Sequence, residues 1–232
     1  MLIHEGDSRS NRIDILLAAI LSFIAGGVNS AGYYSFGYFS ANMTGNVSLV
    51  SDHISLGQFT IAVAFISIVA TFISGSFCAS LFIGFGQKNH WVNIYALTLL
   101  AESLLLLIIG TVDVLYSTFL SGILIISLLS FTMGIQNAAS TRISGSKVRT
   151  THVSGIATDI GVGLALLLQT SEVGLRILFK QRLQLHLTTI LSFTIGGIVG
   201  VLSYKVVGGG MYWVASLLLF LLSAKYLANR SI

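Results

Sequence analysis

Charge is scarce in this chain: of 232 residues only 9% are Asp, Glu, Lys or Arg, while 54% are hydrophobic. A soluble domain carries about 25% charge, so one water-facing fold cannot hide this much apolar surface. The composition predicts an all-α, polytopic membrane helix bundle. Cysteine is almost missing as well. Cys78 stands alone inside an apolar run; it has no intramolecular disulfide partner, says nothing of redox compartment, and reads as a small packing residue. There is no nucleotide-cradling glycine loop, no HExxH pair and no GxSxG nucleophile elbow, so neither ATP-driven transport nor a familiar hydrolase is supported and no enzyme is expected. His152 and Asp159 are seven residues apart and share a helix face, but two ligands do not make a metal site. No metal and no cofactor is expected.

What is present is a series of apolar stretches. Residues 1–14 are short and polar and read as a tail. The first apolar run begins at Ile15 without a small-residue cleavage pattern, so it is expected to stay on the protein. Six spans follow, at about 15–33, 58–86, 91–110, 116–137, 185–204 and 211–227. The first, at about 1.5 Å per residue, reaches across a hydrocarbon core of roughly 30 Å. Ala18, Ser22, Gly26 and Ser30 form a small-residue face, and Gly196 with Gly200 another, on which a neighbouring helix can approach closely. Residues 171–184 alternate Arg176, Lys180 and Arg182 with apolar side chains, which suits a helix lying on an anionic leaflet.

Two stretches fit no ordinary span, and they match each other. Gly27-Val-Asn-Ser-Ala31 and then Asn42-Met-Thr-Gly-Asn46 come back as Gly134-Ile-Gln-Asn-Ala138 and Ser154-Gly155, at offsets of 107 and 110. Lipid-exposed irregular backbone at these places would be too costly. Two polar, glycine-bearing breaks at corresponding places in two apolar halves are the pattern of a transporter built from internal repeats.

The charges choose the topology. With six spans and a cytoplasmic N-terminus, eleven of the twelve Lys and Arg residues fall inside and only Lys205 outside; with eight spans the split is seven to five. The positive-inside rule favours six. Span 1 then starts inside and span 4 outside, so the halves are inverted. The chain is expected to be one integral membrane domain over 1–232, with repeat 1 at about 15–110 and repeat 2 at about 116–227. Each repeat would carry a polar re-entrant or interfacial helical segment. These segments enter from opposite sides, and their helix N-termini, with unpaired N–H groups and partial positive charge, would face an anion or a carbonyl oxygen. One misfit is visible: residues 151–169 would be about 28 Å long as a helix, which is long for a half-span.

At Met133-Gly-Ile-Gln-Asn-Ala138, Thr150-Thr-His-Val-Ser-Gly155 and Asn42-Met-Thr-Gly-Asn46 the chain resembles the YoaK-like family of small bacterial inner-membrane proteins, catalogued as a domain of unknown function. The resemblance covers nearly the whole chain. It implies a location in the bacterial inner membrane, and it is compatible with a small-molecule permease without naming a substrate. Members commonly show an aspartate near the end of span 1, where this chain has Asn29.

The residues singled out for substrate contact are Asn29, Asn42, Thr44, Gly45, Asn46, Gln136, Asn137, Thr151, His152, Ser154 and Gly155, each on or beside a break. The amides also suit interhelical hydrogen bonds, and the Thr, Ser and Gly positions suit helix caps. Glu102, near the middle of span 3, and Asp159 are the candidates for coupling or a buried charge, because an ionisable group at membrane depth is expensive. Arg142 and Arg149 read as positive-inside residues or as an anion filter. The function expected is a transporter or channel for a small, anionic solute between inverted repeats, multi-pass in the inner membrane with both termini cytoplasmic. The alternative is a non-transporting sensor or assembly module that uses its small-residue faces to associate. The partners expected are the lipid bilayer, the solute and further copies of the chain, with no nucleic acid.

Overall fold

The computed structural model describes residues 1–2, 5–116 and 122–228. Eight α-helices follow one another among them. They are α1 Asn11–Phe36, α2 Met43–Ser55, α3 Phe59–Lys88, α4 Ile94–Tyr116, α5 Gly122–Ile143, α6 Val153–Gln169, α7 Val173–Val207 and α8 Gly210–Ala228. Six of them, all but α2 and α6, are long and apolar enough to cross a membrane. The chain is therefore a polytopic helical bundle. Part of the expected start of the fourth span, 117–121, and the last residues, 229–232 with Arg230, lie outside the described residues.

Contacts at the two ends give the directions of the helices. Gln87, near the end of α3, donates to the Glu5 carboxylate, and Arg142, near the end of α5, donates to Gln87. The end of α1 and the end of α7 meet where Ser35 donates to the Tyr204 hydroxyl at 2.6 Å. Tyr204 in turn donates to Asp113 near the end of α4 at 2.8 Å. So α1, α4 and α7 run away from the N-terminal end of the bundle, and α3, α5 and α8 return to it.

The packing seams are built from a repeated Phe-x-x-Gly unit. A Cβ on Gly26 of α1 would strike the Phe193 carbonyl of α7, and one on Gly196 would strike the Phe23 carbonyl. The same reciprocal contact joins α3 and α5, where Gly75 meets the Phe131 carbonyl and Gly134 the Phe72 carbonyl. Only glycine allows backbones to close this far. Matched through these units, Phe23 and Gly26 align with Phe131 and Gly134 at an offset of 108, one more than the offset that sets Gly27 against Gly134. In that register Asn29 aligns with Asn137 and not with Gln136.

Three other expectations change. Residues 171–184 do not form a separate interfacial helix, because α7 is continuous over 35 residues. At about 1.5 Å per residue it is about 52 Å long and overshoots a hydrocarbon core of roughly 30 Å. α6, of 17 residues, packs alongside α7. The described residues of the N-terminal stretch are no loose tail either: α1 begins at Asn11, and Leu2, Arg9 and Asp14 are buried. Arg9 Nε meets Asp14 Oδ1 at 2.6 Å. Cys78, expected to pack inside, is exposed on the outer face of α3.

Candidate functional site

Each break turns the chain back into the bundle and restarts it as a short helix. After α1 the backbone returns until the Ala41 amide donates to Asn29 Oδ1 at 2.8 Å, seven residues before the end of α1. Asn42 then caps α2, its Oδ1 accepting from the Gly45 amide at 3.1 Å. After α5 the chain returns until the Thr151 hydroxyl donates to Asn137 Oδ1 at 3.0 Å. His152 occupies the cap position of α6 without a side-chain capping bond. Asn29 and Asn137 thus perform the same task, each receiving a donor from the residue just before a cap. Orphan amide groups at a helix start need such partners at depth.

The two restarts open onto one cavity of about 620 Å³, lined by residues of both breaks. Of the residues singled out in the sequence, Asn29, Asn42, Thr44, Asn137, Thr151, His152 and Ser154 line it. Gly45, Asn46, Gln136 and Gly155 do not. Asn46 is buried behind the wall and donates to the Phe39 carbonyl at 2.9 Å. A Cβ on Gly45 would meet the Asn42 side chain and one on Gly155 the His152 ring, so both glycines make room for a cap residue. Gln136 is fully buried and turned away from the cavity, with Nε2 donating to Glu102 Oε1 at 3.0 Å.

The two acidic candidates are not in this cavity. Glu102 is fully buried, and its Oε2 has no hydrogen-bond partner among the described residues. Asp159 lines a second cavity of about 570 Å³ near the N-terminal end, with His186 Nε2 at 3.9 Å from its Oδ2. His152 and Asp159 therefore serve different spaces.

Arg149 is the residue whose place the sequence left open. It lines the central cavity and has no ion pair or hydrogen bond among the described residues. Arg142, by contrast, is a structural clamp, donating to the Ser80 carbonyl at 2.6 Å and to Gln87 at 2.9 Å. The cavity's apolar wall was missed entirely: Phe39, Met43, Phe72 and Phe193 stand there. Phe72 and Phe193 are the phenylalanines of two Phe-x-x-Gly units, and that four-fold recurrence is the signal that would have found them. Asp113 was also missed, because the third span was ended at Gly110 whereas α4 runs to Tyr116.

Chemically, the cavity gathers two helix N-termini, one free guanidinium and an amide donor. Asn29 is 5% exposed, and its Nδ2 has no partner among the described residues. Donors of this kind favour an anion.

Comparison with known proteins agrees with the sequence resemblance. A family model described as "Protein of unknown function (DUF1275)" matches residues 17–224. The chain is 28% identical over 215 residues to the UPF0700 transmembrane protein YoaK of Bacillus subtilis (strain 168), covering 88% of this chain and 90% of that protein. No solved structure matches.

Proposed function

The chain belongs to the DUF1275 family of proteins of unknown function, and from the geometry of its central cavity we propose that it is a secondary transporter or channel for a small organic anion. One observation carries the reading: the starts of α2 and α6, one from each half, open with the free Arg149 onto a single cavity. Helix N-termini attract negative charge through unpaired N–H groups and the aligned peptide dipoles. Arg149 adds a full charge with a planar donor fork suited to carboxylate or sulfonate.

The volume and the wall narrow the solute. At about 620 Å³ the space exceeds what a bare inorganic anion fills and falls within the range of small-molecule sites. Phe39, Phe72 and Phe193 supply apolar contact for a carbon body. The halves are read as inverted repeats, supported by the opposite directions of α1 and α5, of α3 and α7, and of α4 and α8. In that reading the paired seams, α1 with α7 and α3 with α5, rock against each other around the cavity. The crowding of Lys and Arg toward the N-terminal end supports cytoplasmic termini.

Proteoliposomes test it with benzenesulfonate, whose charge persists across the usable pH range, and with sulfate as the small comparison. Benzenesulfonate flux that falls at least tenfold in Arg149→Gln, and in Thr44→Val and Ser154→Val proteins of unchanged helicity, is the expected result. Flux no greater than in protein-free vesicles, or unchanged in all three variants, rejects the site.

A further inference from the structure

A buried chain of hydrogen bonds runs from the central cavity to a carboxyl group that the anion never touches. Thr151 donates to Asn137 Oδ1 at 3.0 Å, the Thr150 hydroxyl lies 3.4 Å from the same oxygen, and Asn137 lines the cavity. The Thr150 hydroxyl donates to Gln136 Oε1 at 3.1 Å, and Gln136 Nε2 donates to Glu102 Oε1 at 3.0 Å. Glu102, Gln136 and Thr150 are all fully buried. The chain ends at Glu102 Oε2, which has no partner among the described residues.

Among the described residues no cation stands against that carboxyl. Among the described residues, α3 carries its only charge at Lys88, in its last turn, and α5 its only charge at Arg142, which is held by Ser80 and Gln87. α8 offers Tyr212 toward the far end, and Lys225 and Tyr226 toward the N-terminal end. On α4 itself, Tyr95 lies toward the N-terminal end, and Asp113 and Tyr116 toward the other. At the level of Glu102 the neighbours are neutral: Gln136 from α5, and the Ser103–Ser216 pair between α4 and α8. An ionised carboxylate there would be uncompensated, and an orphan carboxyl oxygen is a place for a proton.

We infer that Glu102 is the proton-binding group of a proton–anion symport, read out at the cavity through Gln136, Thr150 and Asn137. The inference rests on the transport reading above and deepens it. The proton sits on Glu102 Oε2 in the conformation described. Its release to water, when the seams of α4 open, leaves a carboxylate that pulls on the Gln136 amide. Gln136 then changes its hold on Thr150, and through it on Asn137 and the start of α6. One proton carried with one anion makes the transported charge zero, so an inside-negative potential no longer opposes entry. The Asn29 position, which carries no acid in this chain, is not needed for that balance.

The test measures benzenesulfonate accumulation in proteoliposomes with and without a pH gradient of one unit, alkaline inside, and separately with an imposed potential. Wild type is expected to accumulate about tenfold on the gradient and to ignore the potential, since tenfold per unit is the limit for one proton per anion. Glu102→Gln is expected to bring the ratio of accumulation with and without the gradient to about one, whatever its absolute rate. Gln136→Leu, which keeps the carboxyl and cuts the chain, is expected to do the same and serves if Glu102→Gln fails to fold. A gradient ratio unchanged in the folded variants, or wild-type accumulation that follows potential instead of pH, overturns the inference and leaves the transport reading standing. Wild type that moves no benzenesulfonate overturns the transport reading. Infrared spectroscopy of the purified protein then judges Glu102 by itself: a protonated-carboxyl band that vanishes in Glu102→Gln supports a proton site, and its absence overturns it.

Discussion

The Ser103 hydroxyl of α4 donates to the Ser216 carbonyl of α8 at 2.8 Å, and the Ser216 hydroxyl returns a bond to the Ser103 carbonyl at 2.7 Å. Each residue does to the other what is done to it, so the two stand in equivalent positions across the contact. They join α4 and α8 beside Glu102.

Their reciprocity makes a measurable prediction. Ser103→Ala and Ser216→Ala should each lower stability by about 0.6 to 1.7 kcal/mol, the range of interhelical hydrogen bonds in membranes. The double substitution should lower it by less than the sum, because the residues share partners. Reversible unfolding in mixed micelles reads all three; strict additivity would mean the two bonds act independently.

The glycines divide into two classes by what surrounds them. Gly26→Val and Gly134→Val push side chains into the carbonyls of Phe193 and Phe72 and should abolish folding or lower the melting temperature strongly, since close backbone contact is what these seams depend on. Gly161 and Gly163 of α6 face open space. Gly161→Ala and Gly163→Ala should be neutral or stabilise by about 0.4 to 1 kcal/mol through reduced freedom of the unfolded chain. Thermal melts in detergent separate the two classes.

Side-specific labelling checks the directions of the halves. In a Cys78→Ser background, Ser51→Cys, near the end of α2, is expected to label from one face of the membrane. Ser146→Cys and Ser171→Cys, which flank α6, should label from the other. Labelling of Ser146→Cys from the same side as Ser51→Cys would rule out the inverted arrangement.

The Arg9–Asp14 pair ties the N-terminus to the bundle. Both residues are buried, and Arg9 Nη1 also donates to the Met1 carbonyl at 2.6 Å. Asp14→Ala removes a carboxylate 2.6 Å from a buried guanidinium and should lower stability, by at most about 3 to 5 kcal/mol. Arg9→Met combined with Asp14→Leu should recover most of that loss, because the buried charge goes with its partner. The same melts measure it, and an exposed-residue outcome, no change in Asp14→Ala, would contradict the packing.

Much of the lining of the candidate cavity is legible in the sequence. Asn29, Thr44, Thr151 and Ser154 were marked because polar groups at glycine-bearing breaks have no business in lipid unless something answers them, and that constraint is local. Gln136 was placed on the cavity and is not. A one-residue change of register on a helix turns a side chain by about 100°, and only the meeting of Gly134 with the Phe72 carbonyl fixes which amide faces inward. Arg149 reads as a positive-inside charge or an anion filter, and charge counting does not choose between them, because it knows on which side of a loop a residue lies but not that the loop dips back to a cavity. The basic stretch at 171–184 looked interfacial by composition, and the continuous backbone of α7 carries it outward instead.

What the chain determined by itself is the class of fold, the six spans and the family, because lipid demands long apolar helices and leaves little freedom in how they are written. What the tertiary structure decided is where the two breaks meet, that Arg149 lines the cavity they share, and that among the described residues Glu102 is connected to that cavity through Gln136 and Thr150. Those depend on distances between residues far apart in the chain. Such distances are set by how closely the Phe-x-x-Gly seams let backbones approach, which no local pattern measures.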